Sequence, residues 1–275
     1  MTSRRIKGIA LHTVLLLAVL VSMFPFYWTI VMATNSTSSV YQDPPKLVFG
    51  SQLLVNIRHM LSNIDFFGSM FNTLLVAVST TALVLFLDSL AAFTFAKYEF
   101  PGKKALFGLL LLTFMLPMQL AIIPEFEIMV RLGWVGDLRA LVVPAAANAF
   151  GIFWMRQYTQ GAVPSELLEA ARLDGCGFFR QYWHVCLPII RPGLAFLGIY
   201  TFVGAWNDYI WPLIVLVNPN RITLQVALAQ LNTAHGADYS MIMAGALMAL
   251  LPVVFVFVLF ARQFMSGAVK GALRG

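Results

Sequence analysis

The chain has 275 residues, of which 60% are hydrophobic and only 11% charged, with a net charge of +6. A soluble domain carries about 25% charged residues. Mean hydropathy is +0.80, and apolar runs of about 20 residues, enough to cross a bilayer, recur along the length. These figures exclude a soluble globular protein and define an all-α, polytopic membrane protein.

The first span is predicted over 9–31, behind Arg4, Arg5 and Lys7. Its apolar core is longer than the 7–15 residues of a signal-peptide h-region, so the segment is expected to stay, not to be cleaved after Val31-Met32-Ala33. An outer loop over 34–68 follows, with Asp43-Pro44-Pro45 and then near-helical apolar spacing over 53–67 that predicts a surface-lying helix. Spans at 69–96, 105–123 and 138–155 lead into a polar loop at about 157–193. The last two spans are 194–217 and 241–261. Between them lies a second outer loop, about 218–240, that opens on the turn signal Asn218-Pro219-Asn220. The expectation is thus a six-span bundle forming one transmembrane domain over 1–275, without linkers. Pro25, Pro117, Pro144, Pro212 and Pro252 each fall inside a span and predict kinks, because proline removes a backbone hydrogen bond.

Orientation follows from counting basic residues on each side. Arg4, Arg5, Lys7, Lys97, Lys103, Lys104, Arg156, Arg172, Arg180, Arg191, Arg262, Lys270 and Arg274 fall on one side, thirteen of the 18 Lys and Arg. Lys46, Arg58, Arg131, Arg139 and Arg221 fall on the other. Both termini and the 157–193 loop are therefore expected in the cytoplasm, and the net charge reads as a topology signal with no bearing on nucleic acid. Cys176 and Cys186 sit in that loop, in a compartment where stable disulfides are rare. His12, His59, His184 and His235 are scattered, so no metal site is expected. Gly102-Lys103 is the only Gly-Lys pair, with Lys97 and Lys104 where a phosphate-binding loop needs Gly and Ser or Thr. No ATP site is expected in this chain.

The 157–193 loop carries the most specific pattern. Pro164 suits the start of a helix, Glu166 and Glu169 complement its dipole, and Ala170 and Ala171 give a low face. Gly175 after Asp174 suits a sharp reversal, and Phe178, Phe179, Tyr182 and Trp183 suit a membrane boundary. The run Glu169-Ala170-Ala171, Asp174-Gly175 and Leu187-Pro188 resembles the EAA motif of binding-protein-dependent ABC-importer permeases. Asn72-Thr73-Leu74, Phe100-Pro101-Gly102-Lys103, Trp206-Asn207-Asp208 and Ser266-Gly267-Ala268-Val269-Lys270-Gly271 resemble its carbohydrate-uptake branch, of the maltose-permease second-subunit type.

That resemblance implies a type I importer permease in a bacterial or archaeal cytoplasmic membrane, importing a sugar. The same machine carrying glycerol 3-phosphate or its diesters is the alternative within the family. Two copies of an ABC ATPase holding ATP and Mg, a second homologous permease, an extracytoplasmic binding protein and membrane lipid are the implied partners. Glu166, Glu169, Ala170, Ala171, Asp174, Gly175, Leu187 and Pro188 would carry the ATPase coupling.

Asp88 and Asp208 are the acidic residues expected inside spans, where such groups usually face a bundle interior or cavity. Trp206, Asn207, Asp208 and Tyr209, with Gln119 and Asn148, have the aromatic faces and hydrogen-bonding tips suited to a sugar path. Packing or gating is the competing reading of the same segment. Asp88 is expected to be a protonated acid buried by a helix contact, with pairing to Thr80 or Thr81, or to the second permease, as the alternatives. In the outer loop, Asn218, Gln225, Gln230, Asn232 and His235 are candidates for contact with the binding protein. An ion-coupled transporter would need repeats and paired broken helices, and no clear repeat is present. A membrane enzyme would need a nucleophile or acid–base constellation, and none is seen.

Overall fold

Inside lipid every backbone N–H and C=O must be satisfied within the protein, which leaves helices or closed barrels. A computed structural model describes residues 2–232 and 238–272, and they contain helices and no strand. In order these are α1 (Thr2–Thr34), α2 (Thr37–Val40), α3 (Leu53–Asn63), α4 (Phe66–Lys97), α5 (Lys103–Met115), α6 (Ile122–Leu132), α7 (Arg139–Val142), α8 (Ala149–Ala162), α9 (Ser165–Leu173), α10 (Phe178–Gln181), α11 (Leu187–Asn207), α12 (Ile210–Val215), α13 (Leu224–Gln230) and α14 (Tyr239–Ala272).

Among the described residues, four helices are long and apolar enough to cross a membrane, over 8–34, 66–97, 178–207 and 239–260, and a bent pair, taken as one span, brings the number to five. The third predicted span is that bent pair. Its helix stops at Met115, and the next piece leaves at 91°. Leu116 precedes Pro117 and takes an extended ψ of 130°, as residues before proline do. The fourth predicted span, 138–155, is not one helix. It consists of α7, a 3-10 turn at Pro144–Ala146 and α8, because Asn148 is extended (φ −140°, ψ 150°) and starts a new helix with its own side chain. α8 then runs to Ala162, so Arg156 lies within it, stacked 4.2 Å from the Phe107 ring. The fifth span begins earlier than expected and stops at Asn207, where Asp208 turns to ψ 128°.

The chain divides into two compact units. One takes in Met1–Phe66 and Ala227–Leu251. There Asn56 is buried and donates to the carbonyls of Ala33 (2.8 Å) and Asn35 (2.9 Å), which fixes α3 against the end of α1. Asp238 caps the start of α14 by accepting from the Met241 N–H at 3.1 Å. Gly245 lies so close to Leu228 that an added Cβ would come within 2.6 Å.

The other unit takes in Phe67–Val226 and Pro252–Gly275. Its core joins Val84, Ala92 and Phe93 of α4, Met155 of α8, Leu168 of α9, and Ile190 and Leu197 of α11. α8 and α11 approach closely where Gly193 faces the Tyr158 ring. Trp154 and Phe196 pack at a tilt along the same seam, ring centroids 4.4 Å apart.

Candidate coupling loop and solute path

α9 begins one residue after Pro164 and ends in a reversal that the sequence dictates. Gly175 has φ +77°, its N–H reaches the Arg172 carbonyl (3.0 Å), and the Cys176 N–H reaches the Ala171 carbonyl (2.8 Å). This is a Schellman end, in which glycine supplies the left-handed residue. Leu168 and Ala171 point into the core, whereas Glu166, Glu169, Ala170, Asp174 and Gly175 are exposed. The motif thus presents its acidic residues, Ala170 and Gly175 on the exposed side, with Ala171 turned inward.

What holds that face still is an aromatic cluster from another helix. Phe93 and Tyr98, at the end of α4, pack on Phe178 at 5.5 and 5.1 Å. Tyr182 is 1% exposed, and its hydroxyl lies 2.7 Å from Ser89 Oγ. The Tyr98 hydroxyl donates to Gln181 Oε1 (2.9 Å), and Gln181 Nε2 donates to the Cys176 carbonyl (2.7 Å). Arg172 lies 5.0 Å over the Tyr98 ring. Ser89, Tyr98 and Gln181 had no signal in the sequence, since their pairings span 83 to 93 residues. Leu173, 90% exposed at the tip, and Phe179, 61% exposed, add apolar surface beside the motif.

Leu187 is half-buried and Pro188 exposed. They do not mark a joint between separate helices, because α10, a π turn at Tyr182–Cys186 and α11 run on as one rod. Pro188 has no N–H to offer the regular ladder, and the wider turn absorbs the loss, with the Leu187 N–H bonding to the Tyr182 carbonyl.

The suggested path residues are placed unevenly. Trp206 is buried at 1% exposure and stacks on Phe202 at 5.7 Å, so its ring is a packing element here. Asn207, Asp208 and Tyr209 are exposed where α11 breaks, and Gln119 is exposed at the break before α6. Asn148 is half-buried, its Oδ1 accepting the Gly151 N–H at 2.8 Å. Asp88 is buried with neither Thr80 nor Thr81 as partner; its Oδ1 accepts the Asn148 N–H at 3.2 Å. Thr80 lies eight residues away on α4, about 12 Å along the axis.

In the outer loop, Asn218 Oδ1 accepts from the Asn220 N–H (3.0 Å) and Gln225 Nε2 donates to the Trp206 carbonyl (3.4 Å). Gln230 and Asn232 are exposed, and His235 lies outside the described residues. A cleft near this loop was missed in the sequence. Asp137 bonds both Arg139 and Arg221, bringing together residues 84 apart. The backbone N–H of Arg139, and then its guanidinium, hold the Asp137 carboxyl below the usual carboxylate range.

Long apolar helices, a bent helix pair and an anchored helix–turn–helix with an exposed charged face define a polytopic helical membrane protein. Solved structures include one of this architecture: the crystal structure of a bacterial ABC transporter involved in the import of the acidic polysaccharide alginate matches with a TM-score of 0.81 at 24% identity, over 96% of this chain and 98% of that one. Residues 89–265 match the family described as binding-protein-dependent transport system inner membrane component, and the chain belongs to that family. It is 33% identical over 264 residues to the lactose transport system permease protein LacG of Rhizobium radiobacter, covering 96% of both chains. It is 30% identical to the arabinooligosaccharides permease AraQ of Halalkalibacterium halodurans (93% and 92% covered). The sn-glycerol-3-phosphate permease UgpE of Yersinia enterocolitica is 32% identical (97% and 98%). The protein is therefore a multi-pass membrane permease subunit of an ABC importer, a transport component and not an enzyme.

Proposed function

We propose that this chain is one of two homologous permeases that together enclose the path of a sugar importer, with both termini in the cytoplasm. Of two ATPase copies, which hold the ATP and Mg, one receives α9 and its turn in a cleft. An extracytoplasmic binding protein delivers the solute. The observation that carries the coupling role is the free face of Glu169, Ala170 and Gly175, held by a buried aromatic anchor. A connection that merely linked two spans would not need such an anchor.

A sugar is supported by the lactose and arabinooligosaccharide relatives. Asn207, Asp208 and Tyr209 at the break after α11 supply hydrogen-bonding groups suited to hydroxyls. The UgpE relatives favour glycerol 3-phosphate as a second reading. Reconstituting the complete importer and measuring ATP-dependent uptake of labelled lactose, arabinooligosaccharide and glycerol 3-phosphate separates the two. Glu169→Arg should abolish uptake while the subunit still inserts and assembles its membrane core. Wild-type uptake in that variant would refute the coupling assignment.

A further inference from the structure

The cleft beside Asp137 goes beyond that reading. It has a volume of about 490 Å³ and is walled by Asn72, Leu75 and Ser79 of α4, by Leu138, Val142 and Val143, and by Asp137, Arg139 and Arg221 at its rim. Pockets for small molecules run about 300–1,000 Å³.

The rim holds two arginines and one aspartate, so one positive charge is left over. Asp137 Oδ1 accepts the Arg139 N–H at 2.9 Å and Nε at 3.0 Å, and Oδ2 accepts Arg139 Nη2 at 3.4 Å and Arg221 Nη1 at 3.0 Å. An ionised carboxylate offers about four lone-pair sites, so Asp137 is saturated. Two guanidiniums carry about ten N–H donors, of which three go to Asp137. The Arg139 and Arg221 side chains are 60% and 54% exposed. Leu75 and Val143, 42% and 48% exposed, are apolar residues in the lining of the same cleft.

A salt-bridge staple alone would need one arginine per carboxylate and no apolar floor. We infer that this cleft is a binding site for a phosphate ester, with Arg139 and Arg221 on the phosphate oxygens and Leu75 and Val143 against the organic part. Guanidinium forks match phosphate oxygens in pairs. The same chemistry belongs to an anionic phospholipid headgroup and to a phosphorylated solute, and the experiment distinguishes them.

The complete importer is purified and placed in phosphatidylcholine nanodiscs without binding protein or ATP, so the outcome does not depend on which solute is transported. It is titrated calorimetrically with glycerol 3-phosphate. In parallel, lipid retained from mixed phosphatidylglycerol–phosphatidylcholine membranes is read by native mass spectrometry. Saturable glycerol 3-phosphate binding that weakens about tenfold in Arg221→Gln supports the inference with a solute as ligand. Preferential retention of phosphatidylglycerol, lost in the same variant, supports it with a headgroup as ligand. Arg139→Gln is the second variant, and Arg221→Lys, which keeps the charge without the fork, should fall between wild type and Arg221→Gln. If the wild type takes up neither probe, or if both glutamine variants bind as the wild type does, the inference is overturned.

Discussion

Gly151 is a position where a single methyl group should be costly. In α8 its missing side chain faces Asp88, and a Cβ placed there would collide with Asp88 Oδ2. Asp88 is fully buried and its other oxygen accepts the Asn148 N–H at the start of α8, so it has no free room to retreat. Overpacking costs about 1–3 kcal/mol, and an Asn148 N–H stripped of its acceptor costs about 1–3 kcal/mol more. Alanine returns about 1 kcal/mol as a better helix former than glycine, leaving a net loss of about 1–5 kcal/mol. The assay is a double-mutant cycle on the detergent-solubilised subunit, unfolded with SDS. Gly151→Ala and Asp88→Ala are each expected to destabilise. Combined, they should cost less than their sum by at least about 1 kcal/mol, because the methyl fills the space the carboxylate leaves. Asp88→Asn, which keeps an atom at the collision point, should give no such relief. Additive costs for Gly151→Ala and Asp88→Ala would refute the close contact and the role of Asp88 as an acceptor for α8.

The remaining expectations are shorter. Gly175→Ala should destabilise the loop by about 1–2 kcal/mol through backbone strain alone, since nothing lies within 4 Å of a Cβ there. Gly175→Asn should cost less than Gly175→Val in the same thermal denaturation. Tyr182→Phe keeps the ring packing and loses the Ser89 partner, so it should lower stability by about 1 kcal/mol and leave ATP-dependent uptake largely intact, unlike Glu169→Arg. The folded-state pKa of Asp137 is depressed, chiefly by the Arg139 backbone N–H. Its stabilising contribution should therefore be complete above the unfolded carboxylate value of about 3.9 and be lost as pH falls through the folded value. Asp137→Asn should flatten that acid limb in a pH series of thermal midpoints. Finally, a cysteine placed at Gly275 should be shielded from an impermeant external label in whole cells while one at Asn220 reacts, and labelling at Gly275 would reverse the charge-based orientation.

Legibility in the sequence followed the range of the interactions. Apolar length announced the helices 8–34, 66–97 and 239–260, because a bilayer-crossing run is a local property. Gly175 announced its own turn for the same reason, since only its φ and its immediate neighbours are involved. The breaks at Leu116 and Asn148 were marked by Pro117, Pro144 and a capping Asn. They were read as kinks because the surrounding apolar run is continuous, and hydropathy does not register a lost backbone bond. The Ser89–Tyr182 and Asp137–Arg221 pairs had no local trace at all. Trp206 is a different case: an aromatic beside Asn and Asp suits either a sugar path or packing, and its burial against Phe202 is visible only in the folded chain.

The π turn at Tyr182–Cys186 has a counting consequence. Such a turn is an α-helix carrying one surplus residue, here set inside a rod of 30 residues from Phe178 to Asn207. Everything on the N-terminal side of it is dialled round the axis by about 100° relative to an unbroken helix. That rotation is what aims Phe178 and Tyr182 at Phe93. Removing one residue from the middle of this turn would let a regular helix keep Phe178 aimed at Phe93, whereas inserting one more would swing the aromatic anchor about 100° from its seat. In this stretch of chain, residue number itself is a structural quantity, and a one-residue insertion should do more harm than most substitutions.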